Sequence, residues 1–139
     1  MATSPPTFSD HMLQAHAALQ ADLRAIRQAL NTPAEARRQL FALRAHVLEH
    51  FRQEEQGGYM APVLARQPQQ ERTVARLLAE HRRLAIGLEE LVHEAAEATA
   101  IDDRFRERVW VWADDLRRHE ADENVLVEDA FNRDVGNKD

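Results

Sequence analysis

The sequence predicts an all-α protein built from four helices, and three observations carry that expectation. The 139 residues include only 4 Gly and 1 Tyr and are rich in Ala, Leu, Arg and Glu, which favours helix over sheet. Apolar residues recur at steps of three or four over long stretches, the period of a helix face. Start and stop signals divide those stretches into four. The length fits one domain able to bury a core: a lead-in over residues 1–8, a bundle over 9–132 and a polar tail over 133–139.

Ser4-Pro5-Pro6-Thr7 reads as an extended lead-in, and Ser9 or Asp10 as the N-cap of a first helix reaching about Leu30. Thr32-Pro33-Ala34-Glu35 is a capping box with proline at the first helical position, so a second helix starts there and runs at least to Glu55. Gly57-Gly58 and Pro62 then disturb it, with Tyr59 to Arg66 able to form a further turn or two. Pro68 opens the third helix, which ends near Thr99. Asp102 or its predecessor caps the fourth, which runs to about Asn132 before the tail.

The first helix offers Met12, His16, Leu19, Leu23, Ile26 and Leu30 on one face, and the second Leu40, Leu43, Val47, His50 and Glu54. The third offers Val74, Leu77, His81, Leu84, Leu88, Leu91 and Ala95. The fourth offers Phe105, Val109, Trp112, Leu116, His119, Glu123, Leu126 and Ala130. Such stripes pack helices into a bundle at small crossing angles. Each contains a lone histidine or a His-x-x-x-Glu pair, and residues four apart share a helix face. His50 with Glu54, and His119 with Glu123, therefore aim an imidazole and a carboxylate at one point. Burying six such groups without partners would be strongly destabilising. A metal ion resolves the conflict, and the doubling suggests two.

Antiparallel neighbours meet only at equal distances from their shared turn. His16 lies about 16 residues before the turn at Thr32 and His50 about 18 after it, roughly 24 and 27 Å. His81 and His119 each lie about 19 residues, roughly 28 Å, from a turn near Ala100. The link between the second and third helices fits less well, His50 being seven residues from Gly57 and His81 thirteen from Pro68. Helical structure is therefore expected to continue past the two glycines. The halves also repeat: His16, Leu19, Leu23 and Ile26 recur 65 residues later as His81, Leu84, Leu88 and Leu91. Leu43, Val47, His50 and Glu54 recur 69 residues later as Trp112, Leu116, His119 and Glu123.

Cysteine is absent, which removes thiolate zinc sites, iron–sulfur clusters and disulfides and suits a reducing compartment. Any metal must be held by nitrogen and oxygen. A net charge of −6 with no basic block argues against nonspecific nucleic-acid binding. No apolar stretch approaches a membrane span, and Met1 to Asp10 lacks the features of a signal peptide, so the expected location is the cytoplasm.

From about Phe8 to Phe131 the pattern resembles the hemerythrin-like domains of the HHE cation-binding family. The resemblance implies an up-down-up-down antiparallel four-helix bundle around a non-haem di-iron centre, two iron ions with a bridging oxygen. It implies His16, His50, His81 and His119 as terminal nitrogen ligands, with Glu54 and Glu123 as bridges. Manganese or zinc follow iron by donor type. Two positions depart from the oxygen-carrying hemerythrins. Leu77 stands four residues before His81, where those proteins carry a further histidine, and Asn124 stands where they carry an aspartate, with Glu123 one residue earlier. A more open site follows, suited to binding, sensing or reacting with O2, peroxide or nitric oxide rather than to reversible carriage alone. Leu19, Val47, Leu77, Leu84 and Trp112 are expected to restrict water there.

Residues off the stripes receive plainer readings. His11, His46 and His93 are expected to be solvated, His46 being the first substitute ligand. Tyr59 is expected at the surface, with an extra oxygen ligand as the alternative. Glu55, Glu80, Glu120 and Asp122 adjoin the candidate ligands and could orient imidazoles, surface charge being the commoner role for each. Trp110 and Trp112 read as packing residues. A ferritin-like di-iron oxidase would show Glu-x-x-His on two helices, and the only match, Glu90-Leu-Val-His93, lies off the stripe. Nucleophile and phosphate-loop motifs are missing. Two non-redox readings stand beside the di-iron one: a metal-stabilised signalling module read by a protein partner, and a bundle holding structural zinc. No output domain is expected beside the bundle, so a sensing role is expected to need a separate protein.

Overall fold

Four long helices and one short one make up the described part of the chain, residues 8–131 of the computed structural model. They are α1 (Phe8–Ala29), α2 (Pro33–Glu55), α3 (Met60–Arg66), α4 (Glu71–Glu97) and α5 (Asp103–Phe131). Apart from Phe8, where α1 begins, the expected lead-in lies outside the described residues, as do Asn132 and the polar tail. The long helices form the up-down-up-down antiparallel bundle, α1 and α4 each packing against both α2 and α5. No helix among the described residues is long and apolar enough to cross a membrane.

Local chemistry sets the helix ends. Thr32 Oγ accepts from Glu35 N at 3.2 Å, and Asp102 Oδ1 accepts from Phe105 N at 2.9 Å; each such cap contributes about 1 kcal/mol. The start of α1 differs from expectation. The helix begins at Phe8, and Asp10 falls in its first turn, where a carboxylate interacts favourably with the helix dipole. At the opposite ends, arginines satisfy carbonyls that the helices leave unpaired. Arg106 Nε donates to Leu30 O at 2.9 Å, and Arg37 Nε donates to Ala95 O at 3.0 Å.

The predicted stripes meet in two apolar clusters. The larger runs from Leu19, Val47, Leu84 and Leu116 to the far end of the bundle. The smaller contains Met12, Tyr59, Met60, Val63, Leu77 and Leu126. Along α1, α4 and α5 the sequence passes from one cluster to the other through His16, His81 and His119-Glu123. A polar layer thus separates two apolar ones.

The smaller cluster exists because the chain turns back on itself after α2. Helical structure resumes past the glycines as expected, but as a separate element, since α2 ends at Glu55. Gly57 takes φ +82°, left-handed backbone that favours glycine. A Cβ on Gly58 would lie 2.4 Å from Gln53 O and 2.5 Å from Glu54 Cα, so only glycine can cross there. The chain then enters α3, whose Met60 and Val63 are buried, and a 3-10 turn over Pro68–Gln70 delivers it to α4.

Candidate metal centre

His16 from α1, His50 and Glu54 from α2, His81 from α4, and His119 and Glu123 from α5 converge in the polar layer, each at most 6 % exposed. Their donor atoms fall into two groups. His16, His50, Glu54 and Glu123 form one, and His81, His119, Glu54 and Glu123 the other, with all donors of a group within 4.8 Å of one another. Both carboxylates belong to both groups. Glu54 Oε2 lies 3.1 Å from the Nε2 atoms of His16 and His50, while Glu54 Oε1 lies 3.1 Å from that of His81. Glu123 Oε1 lies 3.2 Å from His16 Nε2 and 3.3 Å from His119 Nε2, and its Oε2 lies 3.3 Å from His81 Nε2.

Of these six nitrogen–oxygen contacts only two, His16 with Glu54 and His81 with Glu123, are aligned as hydrogen bonds. The others are close without pointing at each other. Donors held about 2.1 Å from one cation lie about 3.0 Å apart in adjacent octahedral positions and about 3.4 Å apart in tetrahedral ones. The observed separations fall in that range. Among the described residues six buried side-chain polar atoms lack a hydrogen-bond partner, and five line this layer: His50 Nε2, Glu54 Oε1, His119 Nε2, Glu120 Oε2 and Glu123 Oε1. Orphaned polar atoms at this density are costly, and a cation at the centre of each group satisfies those of His50, Glu54, His119 and Glu123. The residues present fit a pair of metal ions.

The far sides of the rings strengthen the fit. His81 Nδ1 donates to Glu55 Oε2 at 2.7 Å and His119 Nδ1 to Glu80 Oε1 at 2.7 Å. His16 Nδ1 donates to Asn124 Oδ1 at 2.9 Å. A neutral imidazole that donates through Nδ1 carries its lone pair on Nε2, facing the two carboxylates. Phe51 stacks on His81 with ring centroids 4.0 Å apart and holds that ring in place. Trp112 Nε1 donates to Leu84 O at 2.9 Å, tying α5 to α4 beside the layer, and Leu19, Val47, Leu77, Leu84 and Trp112 are all buried around it.

Without metal, protons take the place of cations. Burial works to lower the His16 pKa but is outweighed by the adjacent carboxylates of Glu123 and Glu54, which hold it up at about 10. His81 is likewise raised to about 10 against burial by the same two carboxylates, and His119 is raised by Glu123. The burial that would push Glu54 and Glu123 up is overcome by the surrounding imidazoles, which hold both below the ordinary carboxylate value.

Several neighbours differ from expectation. Tyr59, expected at the surface, is 1 % exposed; its hydroxyl donates to Glu123 Oε2 at 2.7 Å. Burial, then the nearby charge on Glu123, pushes its phenol above the ordinary value and keeps it a donor. Its backward turn over Gly57 and Gly58 explains the change. His46 pairs with Asp22 and takes no part in either group. His11 and His93 are exposed. Asp122 pairs with Arg76, whereas Glu120 is 3 % exposed and accepts from Gln20 Nε2 at 2.6 Å. Asn124 is the partner that ligand reasoning missed, the residue outside His16 rather than a donor toward the centre. Trp112 is buried and Trp110 is at the rim.

Among the described residues, two openings reach the layer. A cavity of about 210 Å³ lies over His50, Glu54 and Tyr59, walled by Met12, Ala15 and Gly58. A larger groove of about 450 Å³ runs between Arg83, Asp115 and Arg118 to His119, where Glu80 occupies the outer nitrogen.

Comparison with curated proteins and with solved structures finds no match. The family model for the hemerythrin HHE cation binding domain matches residues 7–130, a span that contains all six converging residues and both openings. The chain belongs to the hemerythrin HHE cation-binding family.

Proposed function

We propose that this chain is a non-haem di-iron protein that binds, senses or reacts with O2 or a related small molecule such as peroxide or nitric oxide. The observation that carries this reading is the sharing of Glu54 and Glu123 between two histidine pairs. His16 and His50 would hold one ion, His81 and His119 the other, and the two carboxylates would span them. Two imidazoles with carboxylate and room for further donors is a set suited to non-haem iron. Iron so held supplies one-electron chemistry and a coordination position for a small oxidant.

The chain's own residues shape what can arrive. The cavity beside His50, about 210 Å³, is smaller than the roughly 300 Å³ at which pockets for drug-sized ligands begin, which favours a diatomic molecule or peroxide over an organic substrate. Met12 and Ala15 give it apolar walls, while Leu19, Leu77 and Leu84 exclude water from the layer. Glu55, Glu80 and Asn124 fix the rings through Nδ1, and Tyr59, which lines the cavity, holds Glu123 in register through its hydroxyl.

Anaerobic loading with Fe(II), followed by admission of air, tests the reading. Uptake of two irons per chain, a near-ultraviolet charge-transfer absorption on oxidation, and consumption of added peroxide are expected. Metal-dependent melting without either redox readout would instead support a signalling module read by a protein partner. Four donors per group also suffice for zinc, so a stoichiometric zinc content in protein from its native host would replace the iron reading with a structural one.

A further inference from the structure

We propose that Glu120 is a third carboxylate ligand, serving only the metal position built by His16 and His50; this rests on the two-metal reading above. Glu120 follows His119 on α5, and one residue is about 100° around a helix. His119 accordingly turns to Glu80 on α4, while Glu120 turns to Gln20 and His16 on α1. Its side chain is 4 % exposed. Oε1 accepts from the neutral Gln20 amide, and Oε2 has no hydrogen-bond partner and lies 3.8 Å from His16 Nε2. Two donors on opposite sides of one cation are about 4.2 Å apart, so the separation of these two atoms allows a shared ion, although Glu120 lies outside the four donors that stand within 4.8 Å of one another.

Charge and the internal repeat point the same way. Two divalent ions between two carboxylates leave a formal excess of +2 in the protein interior, which a third carboxylate halves, and buried charge is tolerated only when paired. The repeat that superimposes His50 on His119 and Glu54 on Glu123 superimposes Phe51 on Glu120. Phe51 lies flat against His81 as Glu120 lies against His16. The same position in the two halves thus brings an apolar ring to one metal position and an anionic oxygen to the other.

Full-length Glu120→Gln, which keeps a partner for Gln20 but loses the anion, tests this with iron-57 loading, Mössbauer spectroscopy and titration against a chelator. The expected result is two inequivalent irons in the parent, with one signal altered in the variant and one iron weakened about tenfold or more. Unchanged affinities and spectra, or equal weakening of both irons, would overturn the proposal. A parent that binds fewer than two metals overturns the two-metal reading itself, a failure visible before any variant is made. Should Glu120→Gln not fold, an anomalous-diffraction structure of the loaded parent decides. Oε2 within about 2.3 Å of a metal supports the assignment, and a separation beyond about 3.5 Å contradicts it.

Discussion

The α1–α2 half of the polar layer and the α4–α5 half are built on one repeat but finished differently. In the second half both rings lean on carboxylates, His81 on Glu55 and His119 on Glu80, an arrangement that raises imidazole basicity and fixes the tautomer. In the first, His16 leans on the neutral amide of Asn124. The first half borders the 210 Å³ cavity through His50 and the second the 450 Å³ groove through His119, while Phe51 reaches across from α2 to stack on His81. On the two-metal reading, a duplicated scaffold thus dresses its two metal positions differently, with carboxylates outside both rings of the second and a neutral amide outside His16 of the first.

The most damaging change should fall on the more deeply buried of the two carboxylates that both donor groups share. Glu123 is fully buried and faces His16, His81, His119 and Tyr59. Glu123→Ala is expected to abolish binding of both ions and to destabilise the metal-free protein by about 3–5 kcal/mol, the cost of breaking a buried ion pair. Metal analysis and urea unfolding check this; retention of one full equivalent of metal would mean that the carboxylate does not bridge. Next in size, His50→Ala with Glu54→Ala should remove half or more of the metal, and His119→Ala alone should chiefly empty the second position.

Acidity separates metal-free from loaded protein in a way that follows from the raised imidazoles. His16 and His81 hold their protons up to about 10 against an ordinary 6.5, so in the metal-free fold their stabilisation is complete below 6.5 and lost as pH rises toward 10. Glu54 and Glu123, held below the ordinary 4.5, stabilise above that value and lose their contribution as pH falls below it. Metals displace the imidazole protons. Loading near pH 7 is expected to release protons, and the melting gap between loaded and metal-free protein to widen from pH 6.5 toward 10. A gap independent of pH would contradict the assignment of these rings.

Much of this was readable in the sequence because it depends on period alone. His16, His50, Glu54, His81, His119 and Glu123 stand on apolar stripes at matching depth, and the structure brings all six together. What escaped depends on how wide a stripe is and how a turn closes. On α5 the buried face includes Ala113, Glu120 and Val127 beside Trp112, His119 and Leu126, a broader band than a three-four stepping traces. Reading it narrowly left Glu120 among surface charges. Tyr59 looked exposed because Gly57-Gly58 read only as a break; the close pass of Gly58 over Glu54, which folds Tyr59 inward, depends on the backbone path of the turn and not on residue type alone. Asn124 looked like a missing ligand, and its role outside His16 becomes visible only once α5 is set against α1.

The smallest effects come from outer partners. Glu80→Gln is expected to weaken the second position about 10- to 100-fold while leaving the first nearly unchanged. Asn124→Asp should do the reverse, strengthening the first by supplying His16 with a carboxylate and so narrowing the difference between halves. Chelator titrations of both variants resolve the two positions.

The central claim is that four imidazoles and two carboxylates enclose a pair of cations, and anaerobic titration of the metal-free protein with Fe(II) tests it most directly. The account predicts a break at two equivalents per chain, moving to one or fewer in the His50→Ala, Glu54→Ala variant. A break at one equivalent in the parent, or uptake unaffected by that double substitution, would contradict it.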